Sequence, residues 1–398
     1  RFVGREAETE RLVEVLRTAV DGQGSAWLIG GESGVGKSRL LEELRARALV
    51  TGALTLRGQA ISERALPYQV WREPMRRLVL AATPTDDEAA ILGQMIPDLE
   101  RLFDRPIPPP PELDAGTFQR QLFLTVEALV QRAAQTQPVV LLLEDLQWAS
   151  ESLKLLEQIS QLAVDLPLLV VGTYTTDIRT DLPNLLPAMQ PMLLERLSAQ
   201  EIAILSDSML GRSGSNPAVV DLLQRETEGN VFFLIEVVRS LAESAGSLTD
   251  IGAVTLPPRV FAGGVQRIVE GRLQRVPEWA RPMIQLAALA GRWLDLNVLA
   301  ALAPDRDINT WLTLCMNAAV FDVQDEQPRF AHDKIREVVL RTIDPEARPS
   351  MHRELALAIE ATYADQLDTY ASTLVDHWAA AGDARNEARY IVSAARQA

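Results

Sequence analysis

Residues 26–41 read AWLIGGESGVGKSRLL, and the order of residue types in this stretch decides the fold. The short apolar run before Gly31 is a strand candidate. Gly31-Glu-Ser-Gly-Val-Gly36-Lys37-Ser38 fits G-x-x-x-x-G-K-[ST]. Leu40, Leu41 and Leu44 then begin a helical period. Strand, glycine loop and helix in succession make a phosphate cradle: loop N–H groups ring the phosphates and the helix N-terminus faces them. Lys37 is placed to reach the β and γ oxygens, and Ser38 to hold Mg²⁺. The stretch therefore predicts a nucleoside triphosphate site in an α/β domain.

Working outward, PVVLLLEDLQWAS (138–150) is a continuous apolar strand that ends in Glu144 and Asp145. One carboxylate orders the Mg²⁺ shell and the other orients or activates a water; spacing leaves open which does which. LTLRGQ (54–59) and LPLLVVGTY (166–174) are two more strand candidates. Residues 6–20, 118–134 and 151–163 are helical in period. Apolar strands alternating with helices predict a parallel sheet covered on both faces. Residues 66–81 read as a helix interrupted near Pro74, and 82–116 as irregular. PIPPPPEL (106–113) within that stretch is a stiff surface linker.

After about residue 195 the strand signal fades. SAQE (198–201) is a capping box that opens a helix. Helical patterns run to about 244, LPPR (256–259) punctuates them, and helices resume at 264–273 and 278–291. A short hairpin is expected near 320–331, then a helix at 332–343. Helices joined to one small hairpin fit a winged helix. From 346 onward the pattern is all helix.

Composition narrows the function. Of 398 residues, 47% are hydrophobic and 23% charged, which is enough for two or three packed domains. A net charge of −15 disfavours nonspecific nucleic-acid binding. Arg259, Arg267, Arg272 and Arg275 form a local basic stretch, read as a solvated helix face rather than a DNA contact. The single cysteine, Cys315, lies in an apolar helical pattern and reads as a buried thiol; cysteine poverty suits the cytoplasm. No apolar run approaches the length of a membrane span. The chain opens on RFVGREAETE and closes on ARYIVSAARQA inside a helical pattern, which reads as a piece of a longer polypeptide.

Taken in order, FVGRE (2–6), GESGVGKS (31–38), LLLEDLQWA (141–149), LVVGTY (169–174), GNVFFLIEVV (229–238) and RFAHDKIREVV (329–339) resemble the STAND class of AAA-type ATPases. Within it they are most similar to large LuxR-family and SARP-type bacterial regulators. The resemblance implies a P-loop nucleotide-binding domain at 1–195, a helical lid at 196–254, a winged helix at 255–345 and a helical, TPR-like arm from 346 to 398. It implies ATP/ADP and Mg²⁺ as cofactors. Val3, Gly4 and Arg5 would line the adenine and ribose. Gly31, Ser33, Gly34, Val35, Gly36, Lys37, Ser38 and Arg39 would hold the phosphates, with Ser38, Glu144 and Asp145 around Mg²⁺. Lys37, Glu144 and Asp145 would carry hydrolysis. His332 would reach the ADP phosphate and lock a closed state. His352 and His377, the two other histidines, read as structural.

Three departures from the family pattern matter. Thr175 stands where an arginine usually senses the γ-phosphate, Val231 replaces the proline of GNP, and Ser150 replaces an acid. Loss of a charged contact is a factor of about ten or more, so slow turnover is expected. The resulting expectation is a nucleotide-dependent signalling switch, probed by an unidentified inducer. It would self-associate with ATP and control an effector elsewhere in the same polypeptide, in transcription. An initiator-type ATPase that binds DNA through its winged helix, and a nucleotide-retaining scaffold without turnover, are the alternatives. A small-molecule kinase lacks a second substrate signature.

Overall fold

A computed structural model describes residues 4–60, 68–96, 98–150, 152–211, 214–245, 264–324 and 327–397. Val3 and LPPR (256–259) lie outside the described residues. The chain divides into two compact units, residues 1–215 with 229–232, and residues 216–228 with 233–398.

The first unit is built on a five-stranded sheet. Its strands are β1 (Ser25–Gly31), β2 (Leu54–Gln59), β3 (Val139–Glu144), β4 (Leu168–Thr175) and β5 (Gln190–Leu194), in the order β2-β3-β4-β1-β5. Every pairing is parallel, as the uninterrupted apolar runs predicted. Side chains alternate along β3. Val140 and Leu142 pack with Leu40 and Leu44 under α1 (Glu6–Val20) and α2 (Lys37–Val50). Leu141 and Leu143 pack on the opposite face, in a larger core closed by α3 (Gln69–Ala81), α4 (Asp86–Leu92), α5 (Leu99–Phe103), α6 (Ala115–Ala134) and α7 (Ser152–Ala163). The short α8 (Leu182–Leu185) precedes β5, and α9 (Ala199–Leu210) follows it, opened by the Ser198–Glu201 capping box expected from SAQE.

Three expectations for this unit need correction. Pro74 does not interrupt its helix; α3 runs through it. Proline removes the N–H that would bond the Val70 carbonyl. Gly58 lies against that carbonyl, where a Cβ would come within 1.8 Å of the oxygen, so glycine lets α3 approach the strand closely. Residues 82–116 are not uniformly irregular. Thr85 and Glu88 form a reciprocal capping box that starts α4, and Ile91, Leu92, Met95, Ile96 and Leu99 are buried in the core. The proline run itself has no regular structure, as expected. Finally, the sheet has a fifth strand. In β5 the residues Gln190, Pro191 and Leu193 are exposed, so this edge strand lacks the apolar signature of its neighbours.

Among its described residues, the second unit is helical apart from one hairpin. It contains α10 (Pro217–Thr227), α11 (Val231–Ala245) after its first two residues, α12 (Gly264–Arg275), α13 (Arg281–Ala290), α14 (Leu296–Leu302) and α15 (Ile308–Asn317). Strands β6 (Phe321–Gln324) and β7 (Gln327–Phe330) pair antiparallel where a hairpin was expected. Helices α16 (Asp333–Thr342), α17 (Arg348–Thr362), α18 (Ala371–Ala380) and α19 (Ala384–Gln397) complete it. Trp311 meets Phe321 at 5.2 Å between ring centroids, and Phe321 meets Phe330 edge-on at 4.7 Å, so the hairpin is pinned to α15 by aromatic packing. Cys315 is buried, and burial pushes its thiol up to about 12, which makes it an inert core residue.

Arg272 does not sit on a solvated face. It is 5% exposed, its Nε donates to Glu236 Oε2 at 2.9 Å and its Nη1 donates to the Ala319 carbonyl. The helical periodicity of α12 did not reveal this because the partners are 36 and 47 residues away. No helix among the described residues is long and apolar enough to cross a membrane.

Helices α17 and α18 bring two histidines together, with His352 Nδ1 and His377 Nδ1 2.9 Å apart. One of these nitrogens must carry the shared hydrogen while the other accepts it, so at least one ring of the pair is neutral. Burial, and then the neighbouring His352, push His377 down from 6.5 to about 4; burial and then Arg348 lower His352. The unfolded chain therefore binds more protons than the folded one between about pH 6.5 and 4. Stability from His377 is complete above pH 6.5 and falls by about 3 kcal/mol as pH drops towards 4. Urea unfolding of the wild type at pH 7.5 and 5 should show much of this loss, and His377→Leu should flatten the slope.

Candidate functional site

The site lies at the carboxyl ends of the parallel strands, where such sheets open a crevice. Residues Glu32–Gly36 form the loop between β1 and α2. Gly34 and Gly36 have φ of +89° and +106°, so the loop turns through conformations that L side chains resist. A Cβ on Gly36 would meet nothing within 4 Å, leaving open space above the start of α2. Lys37 is buried, and its ammonium folds back over the loop to donate to Gly31 O at 2.8 Å and Glu32 O at 2.9 Å. Ser38 and Arg39 are exposed on the first turn of α2, whereas the Val35 side chain is buried in the core. Val35 thus offers backbone alone. Open glycine backbone, a lysine over it and an exposed serine at a helix N-terminus fit a nucleotide phosphate with Mg²⁺.

The acid pair closes the other side. Glu144 is the last residue of β3 and Asp145 follows with φ +59°, which ends the strand's alternation. Asp145 N–H donates to Thr173 Oγ1 at 3.4 Å, and Thr175 N–H donates to Gln147 Oε1 at 3.0 Å. Thr176 N–H donates to Gly31 O at 3.2 Å, the oxygen that Lys37 also holds. Hydrogen bonds therefore run without a break from the acid pair through the end of β4 to the phosphate loop. Thr175, at the position of the missing arginine, is 6% exposed and belongs to this frame.

Arg57 and Gln59 carry no signal in the motifs, and the motifs that contain Gln147 and Asn230 do not show what these two residues bond. Arg57 on β2 donates through Nε at 2.9 Å and Nη2 at 2.6 Å to Glu144 Oε1. Gln59, one step further on the same face, donates to Asp145 Oδ2 at 2.6 Å, and Gln147 donates to Asp145 Oδ1 at 3.2 Å. Asn230 Nδ2 donates to Ser33 O at 2.9 Å, Phe232 N–H donates to Gly34 O at 3.1 Å, and Asn230 Oδ1 accepts from Phe232 N–H. A Cβ on Gly34 would lie 2.7 Å from Asn230 Oδ1, so glycine is needed there for the asparagine to seat. The GNVFF motif flagged residues 229–232, but not that they rest on the loop.

Of the other expected site residues, Gly4 N–H donates to Glu6 Oε1 at 3.1 Å ahead of α1. Arg5 is 5% exposed, pairs with Glu8 at 2.9 Å, and donates to the carbonyls of Val35 at 3.4 Å and of Glu195. Its charge thus braces the phosphate loop from beneath. His332 belongs to the second unit and caps α16: its Nδ1 accepts from Lys334 N–H at 3.1 Å, which leaves the ring hydrogen on Nε2 when neutral.

Residues 1–171 match the AAA ATPase domain family. The whole chain superposes, with a TM-score of 0.59 and 14% identity, on 52% of a Signal Transduction ATPase with Numerous Domains (STAND) protein with a tetratricopeptide repeat sensor from Pyrococcus horikoshii. It is 25% identical to 40% of an uncharacterized protein of Rhizobium meliloti (strain 1021), with this chain covered in full. The ORC1 protein of Aeropyrum pernix in complex with DNA matches 86% of the chain at 17% identity and a TM-score of 0.40, covering 93% of that protein. The chain thus spans about half or less of the length of the first two relatives.

Proposed function

We propose that the chain, whose residues 1–171 match the AAA ATPase domain family, is an ATP/ADP-dependent signalling switch of the STAND type. In this reading ADP holds a resting state, and ATP with an inducer selects an open state that self-associates. Such a ligand shifts the equilibrium only by its differential affinity for the two states. The four-part division into nucleotide domain, lid, winged helix and TPR-like arm belongs to the same reading, as does control of an effector in transcription.

The observation that carries it is the hold of residues 230–232 on the phosphate loop. Asn230 and Phe232 bond the backbone of Ser33 and Gly34, and the chain runs from them directly into α11. A change in what the loop binds is therefore felt at the first turn of α11. His332, with Nε2 as its donor nitrogen, is the proposed second reporter of the phosphate.

Turnover should be slow. Thr175 offers no cation to charge developing on a γ-phosphate, and Arg57 engages Glu144. The expected ATP hydrolysis rate lies far below the ~10 s⁻¹ typical of enzymes, and Glu144→Gln should lower it further. A steady-state assay yielding many turnovers per second would overturn the switch reading in favour of a working ATPase.

A further inference from the structure

Arg57 lies between two carboxylates. On one side, Nε and Nη2 both bond Oε1 of Glu144, which is 1% exposed at the end of β3. On the other, Nη1 is 3.7 Å from Oε2 of Glu42. The sequence explains why the three meet. Leu56 points into the core under α3, so Arg57 points to the opposite face, where α2 lies. Glu42 stands one helical turn beyond Ser38 on α2, and i,i+4 residues share a stripe. One of the two carboxylates expected around the divalent cation, the serine expected to hold it, and the surface acid at Glu42 thus border one guanidinium.

A buried carboxylate needs a positive partner, and Arg57 supplies it. A divalent cation in the same place draws on the same charge. Two cations on one carboxylate repel, so binding the metal weakens the hold of Arg57. Glu42 lies within a short swing of the guanidinium; it already pairs with Arg45 at 2.6 Å, and its Oε2 faces Arg57 at 3.7 Å. We propose that Arg57 is an exchangeable counter-ion: it neutralises Glu144 while the cation site is unfilled and shifts to Glu42 when Glu144 orders Mg²⁺. Arg57 is in this sense a positioning residue that sets how much Mg²⁺ the site requires. The assignment rests on the reading of Gly31–Ser38 as a nucleotide site.

The test is the affinity of the full chain for a fluorescent ADP analogue, followed as MgCl₂ is titrated, in wild type, Arg57→Gln and Glu42→Gln. Removing the competing cation should lower the Mg²⁺ concentration for half-maximal tightening by about tenfold, the scale of a charged hydrogen bond. Removing the second resting place should raise it by about threefold, the scale of a partly exposed pair. These opposite signs are the signature, because a residue that merely props the sheet would move both variants in one direction. Half-points that shift together, or an unchanged half-point in Arg57→Gln, overturn the proposal. Should Arg57→Gln fail to fold by far-UV circular dichroism, the half-exposed Glu42→Gln decides alone, with an unchanged half-point counting against. Wild type that binds no ADP analogue at any Mg²⁺ concentration overturns the nucleotide reading and this proposal with it. Binding with coincident half-points overturns the counter-ion assignment alone.

Discussion

Lys37→Ala should lower affinity for ADP and ATP by a factor of a hundred or more, on the order of two charge-assisted hydrogen bonds to phosphate oxygens. The side chain is buried, and its ammonium lies against the carbonyls of Gly31 and Glu32. Neutral carbonyls solvate a buried cation incompletely, so an incoming phosphate finds a charge already desolvated and positioned. Folding should change little by comparison, because the glycine conformations that shape the loop do not depend on the lysine. Titration calorimetry with ADP and a thermal melt on the same sample separate the two effects. Affinity within about threefold of wild type would remove Lys37 from the site, since a single exposed ion pair is worth that much.

The second large effect lies in the other unit. Glu236→Ala should destabilise it by about 3–5 kcal/mol, the cost of leaving a buried charge without its partner. Glu236 and Arg272 are each about 5% exposed and joined through both guanidinium Nε and Nη2. Arg239 approaches the same carboxylate at 3.6 Å. Burial pushes the Arg272 pKa down, Glu236 opposes that, and Arg239 and Arg275 add to the lowering. Without Glu236 the cluster is a set of like charges around a desolvated guanidinium. Urea unfolding should show the loss in the transition of this unit. The double variant Glu236→Leu with Arg272→Met should recover most of it, because apolar replacement of a buried pair is often neutral or stabilising. A double variant as unstable as Glu236→Ala would show that the pair does more than compensate its own burial.

The contrast between these sites explains what could be read in the sequence. The phosphate loop is written in eight consecutive residues, and β3 and β4 announce themselves by uninterrupted apolar runs. Helix α4 was missed although Thr85 and Glu88 stood at capping-box spacing, because its apolar stretch is short. Strand β5 was missed because an edge strand with Pro191 and exposed Gln190 does not need an apolar face. The partners of the acid pair were illegible for another reason. Arg57 and Gln59 stand 87 and 86 residues from the acids they bond, and Asn230 stands 197 from Ser33. Such pairings are made by sheet order and by the return of the chain at 229–232, which no local pattern encodes. Resemblance of motifs pointed to residues near the nucleotide, including Arg5, but the burial of Arg5 beneath Val35 came only from the fold.

As a switch, the resting protein is proposed to hold ADP and to release it under control. The most direct measurement is the nucleotide carried by the protein as purified, released by denaturation and resolved by ion exchange. ADP is expected in near-equal amount to protein, with its loss or rapid exchange in His332→Ala. Protein that carries no nucleotide, exchanges added ADP rapidly and hydrolyses ATP briskly would contradict it.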